Sequence, residues 1–351
     1  MTRHTPLFSF GITTYNQPDL LKHALLSILD QTFSDFEVIV GNDNPRENLS
    51  PERFGLDDPR IRFVNHPENL GELGNMNALL AMSHGRYFTW LADDDFYAPD
   101  FLETLHAALT RFDFPPCVFT SYVMQDESGV WDDKHDRFTG KSLRLHGSEF
   151  VRMYLGGKIR AIGTCGMFEA KYIRDMGGVE KLGKGPFALY SEYLLLMKAG
   201  LLHQVVYIDS PLVTYRVHEN SWGSSNLDLE EYKGAGRQLI RKSAEIFEDP
   251  AMVEDYRRNL ADISKLHWST LITKAFHEAS AAGLGIPAFA LLFRRSSEAK
   301  SHIMDVLSEM EDKIGNHGPG FRVVSMKDSS RFVLSLRFLF LIYKKGKRKG
   351  T

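Results

Sequence analysis

Cysteine is scarce in this chain of 351 residues, which has only Cys117 and Cys165. Two cysteines are too few for a disulfide framework, so the sequence favours a reducing compartment. The first residues lack the charged start, long apolar stretch and small-residue cleavage site of a secretory signal. No run of about 18 or more apolar residues occurs, which argues against a membrane-spanning helix. These absences lead us to expect a cytoplasmic protein.

The charged residues are unevenly distributed along the chain. There are 42 Lys+Arg and 45 Asp+Glu, but residues 331–351 contain seven basic residues and no acidic one. The rest of the chain therefore has 35 basic and 45 acidic residues. An acidic body is poorly suited to nucleic acid, because duplex binding requires cations that neutralise phosphates. We expect no nucleic-acid partner. With 43% hydrophobic residues, the chain has enough apolar material for a packed core.

Strand-like and helix-like segments alternate through the first part of the sequence. Apolar, β-rich runs predict strands at 7–13, 36–40, 61–65, 86–92 and 118–124. Apolar residues at helical spacing predict helices that start at Pro18, over 73–83, and after Pro99. This order is typical of a mostly parallel sheet covered by helices.

Polar clusters follow three of these predicted strands: Thr-Thr-Tyr-Asn at 13–16, Asn-Asp-Asn at 42–44 and Asp-Asp-Asp at 93–95. In open α/β sheets, ligands bind beyond the carboxyl ends of the strands. The three clusters are far apart in sequence, yet the architecture would bring them to one edge. This convergence predicts a binding site.

The triplet Asp93, Asp94 and Asp95 is costly as pure structure, because adjacent carboxylates repel one another. A bound Mg²⁺ or Mn²⁺ would offset that repulsion, and Mg²⁺ usually takes one or two carboxylates together with substrate phosphates. The alternative is a solvated acidic turn before the next helix. Asp43 is likewise either a turn former or an acceptor of hydrogen bonds from a base or ribose.

The later part of the chain is more irregular. We predict a helix over 190–199, strands at 204–208 and 212–216, and only helices from Leu229 onward. Taken by residue type alone, Glu192 fits the first turn of a helix, where the helix dipole favours acids. Taken alone, His218 is a packing or surface residue.

Four ordered stretches carry a family resemblance. The segment TTYNQPDLLKHALLSILDQTFSDFEVIVGND resembles the opening of the family 2 glycosyltransferases, which have the GT-A fold. NHPENLGELGNMNALLAMSHGRYFTWLADDDFYAPDFL is similar to the family's N-x-G-x-x-x-N segment and acidic motif. LYSEYLLLMKAG and YRVHENS are similar to later motifs, so the resemblance covers about residues 7–221. It implies an α/β fold, here with a helical C-terminal extension.

The resemblance implies an inverting transfer of a sugar from a nucleoside-diphosphate sugar to an acceptor hydroxyl. It assigns donor binding to Thr14, Tyr15, Asn16, Asp43, Asn77, Asp93, Asp94 and Arg216. It places Glu192 where the family has its catalytic base, which is usually Asp. It suggests that Mg²⁺ or Mn²⁺ is held by Asp94, Asp95 and His218. The family often has Asp-x-Asp-Asp where this chain has Ala92-Asp93-Asp94-Asp95, so the principal metal ligand is either Asp94 or Asp95.

We expect a catalytic domain at 1–225, a helical region at 226–330 and a basic amphipathic tail at 331–351. The helical region would serve acceptor binding, membrane contact or homo-oligomerisation. The stretch FVLSLRFLFLIY at 332–343 is too short to span a bilayer. With the lysines that follow, 332–349 fits either a peripheral anchor at the inner face of the membrane or a core helix with a charged end.

The acceptor is expected to be a saccharide or a lipid-linked molecule, within bacterial surface polysaccharide assembly. Trp131 and Trp222 could line its site or simply pack. One rival interpretation is a nucleotidyltransferase, although GITTYNQPD lacks that class's Gly-rich phosphate loop. Another is a non-catalytic nucleotide-sugar-binding module on the same fold.

Overall fold

The computed structural model of the protein describes residues 5–126, 128–130, 138–185, 187–218, 228–281 and 286–310. Trp131, Trp222 and the tail 331–351 lie outside the described residues. The roles considered for them therefore stay predictions. Within the described ranges, no helix has both the length and the apolar character of a membrane span.

Ten strands in the described residues form one mixed sheet. They are β1 (Phe8–Thr14), β2 (Phe36–Asn42), β3 (Ile61–Asn65), β4 (Tyr87–Ala92), β5 (Phe96–Tyr97), β6 (Cys117–Asp126), β7 (Gly129–Val130), β8 (Ser142–Leu145), β9 (Gly166–Glu169) and β10 (Val205–Arg216). The order is β3-β2-β1-β4-β9-β6-β10-β5, with β7 beside β6 and β8 beside β10. The first four of that order are parallel, as are β6 and β10, while β9 runs antiparallel between β4 and β6.

The described α-helices of the first part are α1 (Pro18–Leu29), α2 (Gly71–Met82), α3 (Phe101–Arg111), α4 (Gly147–Leu155), α5 (Ala170–Asp175) and α6 (Ser191–Lys198). They are followed by α7 (Leu229–Phe247), α8 (Tyr256–Ala281) and α9 (Ile286–Ser308). Pro18 starts α1, where its missing N–H costs nothing. The alternation of strands and helices confirms the predicted α/β fold class.

The core lies where the parallel strands meet the helices. Strands β1, β2 and β4 are buried over nearly all of their length, as expected for interior parallel strands covered on both faces. The inward face of α1 adds Leu21, Ala24, Leu25 and Ile28 to the same cluster. This packing fixes the carboxyl ends of β1, β2 and β4 relative to one another.

The predicted strands 204–208 and 212–216 are one continuous strand, β10. Its pairing with β6 shifts register on either side of Pro211. Proline cannot donate a ladder hydrogen bond, so an irregularity at this position is expected. The strand continues to Arg216, which brings the residues after it to the edge where β1, β2 and β4 end.

The chain divides into two compact units, Met1–Asn259 and Leu260–Thr351. This division differs from the boundary predicted at residue 225, because α7 packs on the first unit. Tyr232 of α7 contacts Tyr190 edge to face, and Lys242 pairs with Glu180. In the second unit, Arg295 of α9 pairs with Glu278 of α8 at 2.9 Å.

Candidate active site

The ends of β1 and β4 are joined by a hydrogen bond between two buried side chains. Because Thr13 pairs with Ala92 in the ladder, the next residues, Thr14 and Asp93, emerge side by side. Oγ1 of Thr14 donates to Oδ2 of Asp93 at 2.6 Å. Burial raises the pKa of Asp93 to about 7, although the bond from Thr14 lowers it. The charge of Asp94 raises it further.

The end of β2 adds the second polar cluster. The backbone N–H of Asp43 donates to the carbonyl of Thr14 at 3.0 Å, and Oδ1 of Asp43 accepts the backbone N–H of Leu70 at 2.7 Å. Asn16 adopts a left-handed conformation (φ 59°) and accepts a 2.6 Å hydrogen bond from the amide of Asn44. The ring of Tyr15 beside them is 50% exposed. This corner therefore presents an exposed aromatic residue and a fixed carboxylate.

The third cluster, Asp93–Asp95, contacts Arg216 at the end of β10 and His218 just after it. Nε2 of His218 lies 3.1 Å from Oδ2 of Asp94, and both side chains are about one-fifth exposed. Nε of Arg216 donates to the backbone carbonyl of Asp94. Among the described residues, Nη2 of Arg216 is buried and has no hydrogen-bond partner. A buried cationic N–H group without a partner is suited to an anionic ligand.

Asp95 is more deeply buried than Asp94 and His218. Its side chain is 2% exposed, and Oδ1 accepts the backbone N–H of Arg216 at 3.0 Å. Burial raises the pKa of Asp95 well above its usual range, and the charges of Asp94 and Glu192 add to the effect. In the described residues, no three His, Cys, Asp or Glu side chains converge as a metal cluster. The predicted trio of Asp94, Asp95 and His218 is therefore not assembled, and only Asp94 and His218 meet.

Glu192 lies in the first turn of α6, directly after Tyr190, which is left-handed (φ 59°). Its carboxylate accepts the backbone N–H of Gly163. A Cβ atom at position 163 would lie 2.8 Å from Oε1 of Glu192, so only glycine fits there without displacement. Burial raises the pKa of Glu192 to about 7, and the charge of Glu72 contributes. A carboxylate poised near neutral pH can accept a proton.

Glu72 is a member of this site that the sequence did not reveal. It occupies the first turn of α2, and Oε2 accepts the backbone N–H of Ala188 at 3.3 Å. Burial of its carboxylate raises its pKa, and the charge of Asp94 adds to the rise. The charge of Glu72 also raises the pKa of Glu192, so Glu72 is close enough to interact with both Asp94 and Glu192. An acid in a helix's first turn suits the helix dipole, so its position gave no functional signal.

Asn77 is not brought to this cluster by any described hydrogen bond. Its Nδ2 donates to the carbonyl of Val179 at 3.0 Å, and its Oδ1 accepts the N–H of the same residue at 2.8 Å. Both ends of the amide are thus engaged with backbone in the segment before α6. The predicted contact with the donor gains no support, and the observed role is to join α2 to that segment.

The residues present fit a divalent cation that binds together with an anionic ligand. The donor atoms of Asp94 and His218 are 3.1 Å apart, close to the spacing of roughly 3 Å between neighbouring ligands of an octahedral Mg²⁺ or Mn²⁺. Two protein ligands leave most positions for water or phosphate, which is usual for Mg²⁺. The neighbouring carboxylates would also repel one another less beside a cation.

Comparisons with known proteins are consistent with this geometry. Residues 9–177 match the family model described as Glycosyl transferase family 2. An uncharacterized glycosyltransferase of Rickettsia felis is 32% identical over 128 residues, covering 36% of this chain and 21% of that protein. This chain thus spans about a fifth of the length of that relative. The Escherichia coli glycosyl transferase WcaA, named for colanic acid biosynthesis, is 31% identical over 107 residues, 30% of this chain and 38% of WcaA.

Two solved structures resemble most of this chain at low sequence identity. S. aureus TarS 1–349 in complex with UDP-GlcNAc has a TM-score of 0.56 at 14% identity and covers 85% of this chain and 91% of TarS 1–349. The mannosyltransferase PcManGT from Pyrobaculum calidifontis, in complex with GDP-Man and Mn²⁺, has a TM-score of 0.50 at 17% identity. That match covers 88% of this chain and 87% of PcManGT. At these identities the likeness establishes the fold, which is the GT-A fold predicted from the sequence.

Proposed function

Residues 9–177 make this chain a member of glycosyl transferase family 2, and we propose that it moves a sugar from a nucleoside-diphosphate sugar to an acceptor hydroxyl with inversion at the anomeric carbon. The observation that carries this proposal is the meeting of three polar clusters with Glu192 at one edge of the sheet. The carboxylate of Glu192, whose pKa is about 7, lies near Asp95. Asp95 in turn follows Asp94, which pairs with His218.

The donor nucleotide is proposed to bind at the ends of β1 and β2. Tyr15 offers an exposed ring on which a base can stack, and Asp43 offers a carboxylate to the base or ribose. Thr14 and Asn16 hold this corner through their bonds to Asp93 and Asn44. TarS and PcManGT, which share the fold, were solved with UDP-GlcNAc and with GDP-Man, and this supports a nucleotide-sugar donor here.

The diphosphate is proposed to lie against Arg216, Asp94 and His218. The unpartnered Nη2 of Arg216 can donate to a phosphate oxygen. Asp94 and His218 would hold Mg²⁺ or Mn²⁺ with the phosphates, and PcManGT was solved with Mn²⁺. When bound, such an ion offsets the negative charge that grows on the departing diphosphate. Asp95 is assigned the supporting task of holding the backbone of Arg216.

Glu192 is proposed to be the general base. Its carboxylate takes the proton of the acceptor hydroxyl while that oxygen forms a bond to the anomeric carbon. The bond from the anomeric carbon to the diphosphate oxygen breaks in the same step, and the nucleoside diphosphate leaves with the electron pair. The N–H of Gly163 holds the carboxylate in place throughout. The acceptor is proposed to belong to a surface polysaccharide, an assignment supported by the name of WcaA.

The test combines a nucleotide-binding measurement with substitution of Glu192, the proposed general base. The thermal stability of the protein is measured with UDP, GDP, ADP, CDP and dTDP, each with MnCl₂ or with EDTA. One nucleotide should raise the melting temperature in a metal-dependent way, because ligands that prefer the native state stabilise it. Glu192→Gln should keep that shift and lose turnover by about 100-fold or more. Absence of any metal-dependent hit, or unchanged turnover in the variant, would refute the proposal.

A further inference from the structure

A cavity of about 510 Å³ lies at the edge of the sheet opposite the candidate active site. Its lining includes Pro115 and Pro116, which precede β6, and Gln204, which precedes β10. These two strands are parallel and run from the cavity to Arg216, so roughly 25 Å of extended chain separates it from the acidic cluster. Pockets that hold small molecules typically measure about 300–1,000 Å³. The cavity therefore has the size of a ligand site that the proposed sugar transfer does not use.

Three hydrogen-bond donors from three parts of the chain line this cavity. They are Arg111 at the end of α3, Arg144 on β8 and His203 just before β10, and all three are exposed. Among the residues that the structure describes, these side chains form no hydrogen bond or ion pair. The guanidinium of Arg111 does lie 5.1 Å from the centroid of the Phe112 ring, which keeps it beside the cavity. All three side chains are thus available to a ligand.

The lining has fewer available carboxylates than cations. Two acids, Asp113 and Glu169, also face the cavity. Glu169 is already paired, because its Oε1 lies 3.4 Å from Nε of Arg86. Asp113 is then the one lining acid that faces the guanidiniums of Arg111 and Arg144 without an ion pair in the described structure. This balance of charge favours an anionic ligand.

The rim of the cavity is held in a fixed shape. Nε2 of Gln204 donates to the carbonyl of Phe112 at 3.0 Å, and the N–H of Phe114 donates to the carbonyl of Leu109 at 2.8 Å. Asp113 and Phe114 are both left-handed (φ 58° and 52°), a conformation that is unfavourable for residues with a side chain. Backbone held in such a conformation by its surroundings is concentrated at functional sites, including ligand clamps. A rim that is fixed in advance loses less entropy when a ligand binds.

We propose that this cavity binds a phosphate monoester, whose phosphate lies against Arg111 and Arg144 and whose organic part contacts Phe112 and Phe114. The planar guanidinium group matches the oxygens of a phosphate and can hold two of them at once. Inorganic phosphate alone would fill only a small part of 510 Å³, whereas the two half-buried aromatic rings offer apolar surface to an attached group. A soluble ester and a lipid headgroup carry the same phosphate, so the experiment includes both.

Binding to the full-length chain in EDTA tests the class of ligand. Calorimetric titrations use phenyl phosphate, inorganic phosphate and phenol, and sedimentation uses phosphatidylcholine vesicles with and without phosphatidic acid. For a soluble ligand, phenyl phosphate should bind more tightly than inorganic phosphate, and phenol should not bind. For a lipid ligand, the vesicles should bind only with phosphatidic acid and through Arg111 and Arg144. If neither phenyl phosphate nor the phosphatidic acid vesicles bind, the inference is wrong.

Substitutions in the lining test the location. Arg111→Gln and Arg144→Gln should each weaken binding of the responding probe by about tenfold. Arg62→Gln is the control, because Arg62 is an exposed arginine on β3 that does not line the cavity, and it should stay within about twofold of wild type. Binding that is unchanged in both lining variants contradicts the inference, since the phosphate would then lie elsewhere.

Asp113→Asn gives a test in the opposite direction. It removes the unpaired carboxylate from the lining, so affinity for the responding probe should rise by about twofold to fivefold. Asparagine tolerates the left-handed conformation, so the rim keeps its shape, and an unchanged melting temperature without ligand checks this. A loss of affinity in Asp113→Asn would refute the proposed anion site. Because the probes are added without metal, none of these outcomes decides whether the chain transfers sugar.

Discussion

Oγ1 of Thr14 donates a 2.6 Å hydrogen bond to Oδ2 of Asp93, and this contact joins the ends of two parallel strands inside the protein. Thr14 is 4% exposed and Asp93 is 7% exposed, so water replaces the bond poorly. The two residues are the first side chains beyond the paired positions Thr13 and Ala92. The bond therefore helps to set the spacing between the corner that contains Tyr15 and Asp43 and the acidic cluster at 93–95.

Thr14→Val should destabilise the protein by about 1–3 kcal/mol, because it removes the side-chain donor of a buried carboxyl group. Thr13→Val is the matched control, since Thr13 is on the same strand and makes no comparable side-chain bond in the described structure; its effect should stay within about 0.5 kcal/mol. Urea unfolding of the two variants and wild type measures the difference. Equal stability of the two variants would show that the Thr14–Asp93 bond contributes nothing.

The sequence predicted the parallel part of the fold and the convergence of the polar clusters well. Strand 61–65 has the predicted bounds, and α1 starts at Pro18 as expected. The clusters at 13–16, 42–44 and 93–95 converge because parallel strands share one carboxyl edge, a property of topology that the βαβ pattern already contains. Residues of this kind are predictable because backbone direction alone brings them together.

Long-range side-chain contacts were not predictable from local pattern. Asn77 bonds to Val179, which is 102 positions later in the chain, and no local feature of either segment indicates that partner. Glu72 comes near Glu192 only after α2 and α6 have packed. Asp95 follows Asp94 directly, but its buried carboxylate accepts the backbone N–H of Arg216, 121 positions later in the chain, and spacing alone does not indicate that partner.

Glu192→Gln should raise the melting temperature at pH 8 by roughly 2–4 °C relative to wild type, although it removes the proposed base. Folding raises the pKa of Glu192 from 4.5 to about 7, so the folded state holds the proton more tightly than the unfolded state. Wild type therefore loses stability as pH rises from about 4.5 through 7, whereas neutral Gln does not. Calorimetry should show that the melting temperature of the variant exceeds that of wild type by more at pH 8 than at pH 5. A difference independent of pH would contradict burial of the carboxylate.

Glu72→Gln should shift the acid limb of the transfer rate to lower pH by about half a unit or more. The charge of Glu72 helps to raise the pKa of Glu192, so removing it makes Glu192 easier to ionise. The rate at saturating donor is measured from pH 5 to 9. Glu68→Gln is the control, because Glu68 lies in the loop just before α2 and is exposed. An acid limb that does not move would place Glu72 outside the electrostatics of the base.

Asn77→Ala should destabilise the protein by about 1–3 kcal/mol and leave nucleotide affinity within about twofold of wild type. The variant loses both hydrogen bonds to the backbone of Val179. Asn48→Ala removes an exposed amide and should change stability by less than about 0.5 kcal/mol. Unfolding experiments measure the stability. Calorimetric titration with the responding nucleoside diphosphate measures the nucleotide affinity. A tenfold loss of affinity with normal stability would restore the donor-binding role suggested by the sequence.

Asp94→Asn should abolish most of the effect of Mn²⁺ on nucleotide binding. Asp94 and His218 offer two donor atoms 3.1 Å apart, and an amide is a weaker ligand than a carboxylate for a hard cation. Titrations with MnCl₂ and with EDTA should show a metal-dependent gain in affinity that falls by about 10–100-fold in the variant. Asp57→Asn, which changes an exposed acid in the segment before β3, should keep the full metal-dependent gain in affinity. If Asp94→Asn kept it as well, the cation would have to bind elsewhere, and the assignment of Asp94 and His218 as its ligands would be wrong.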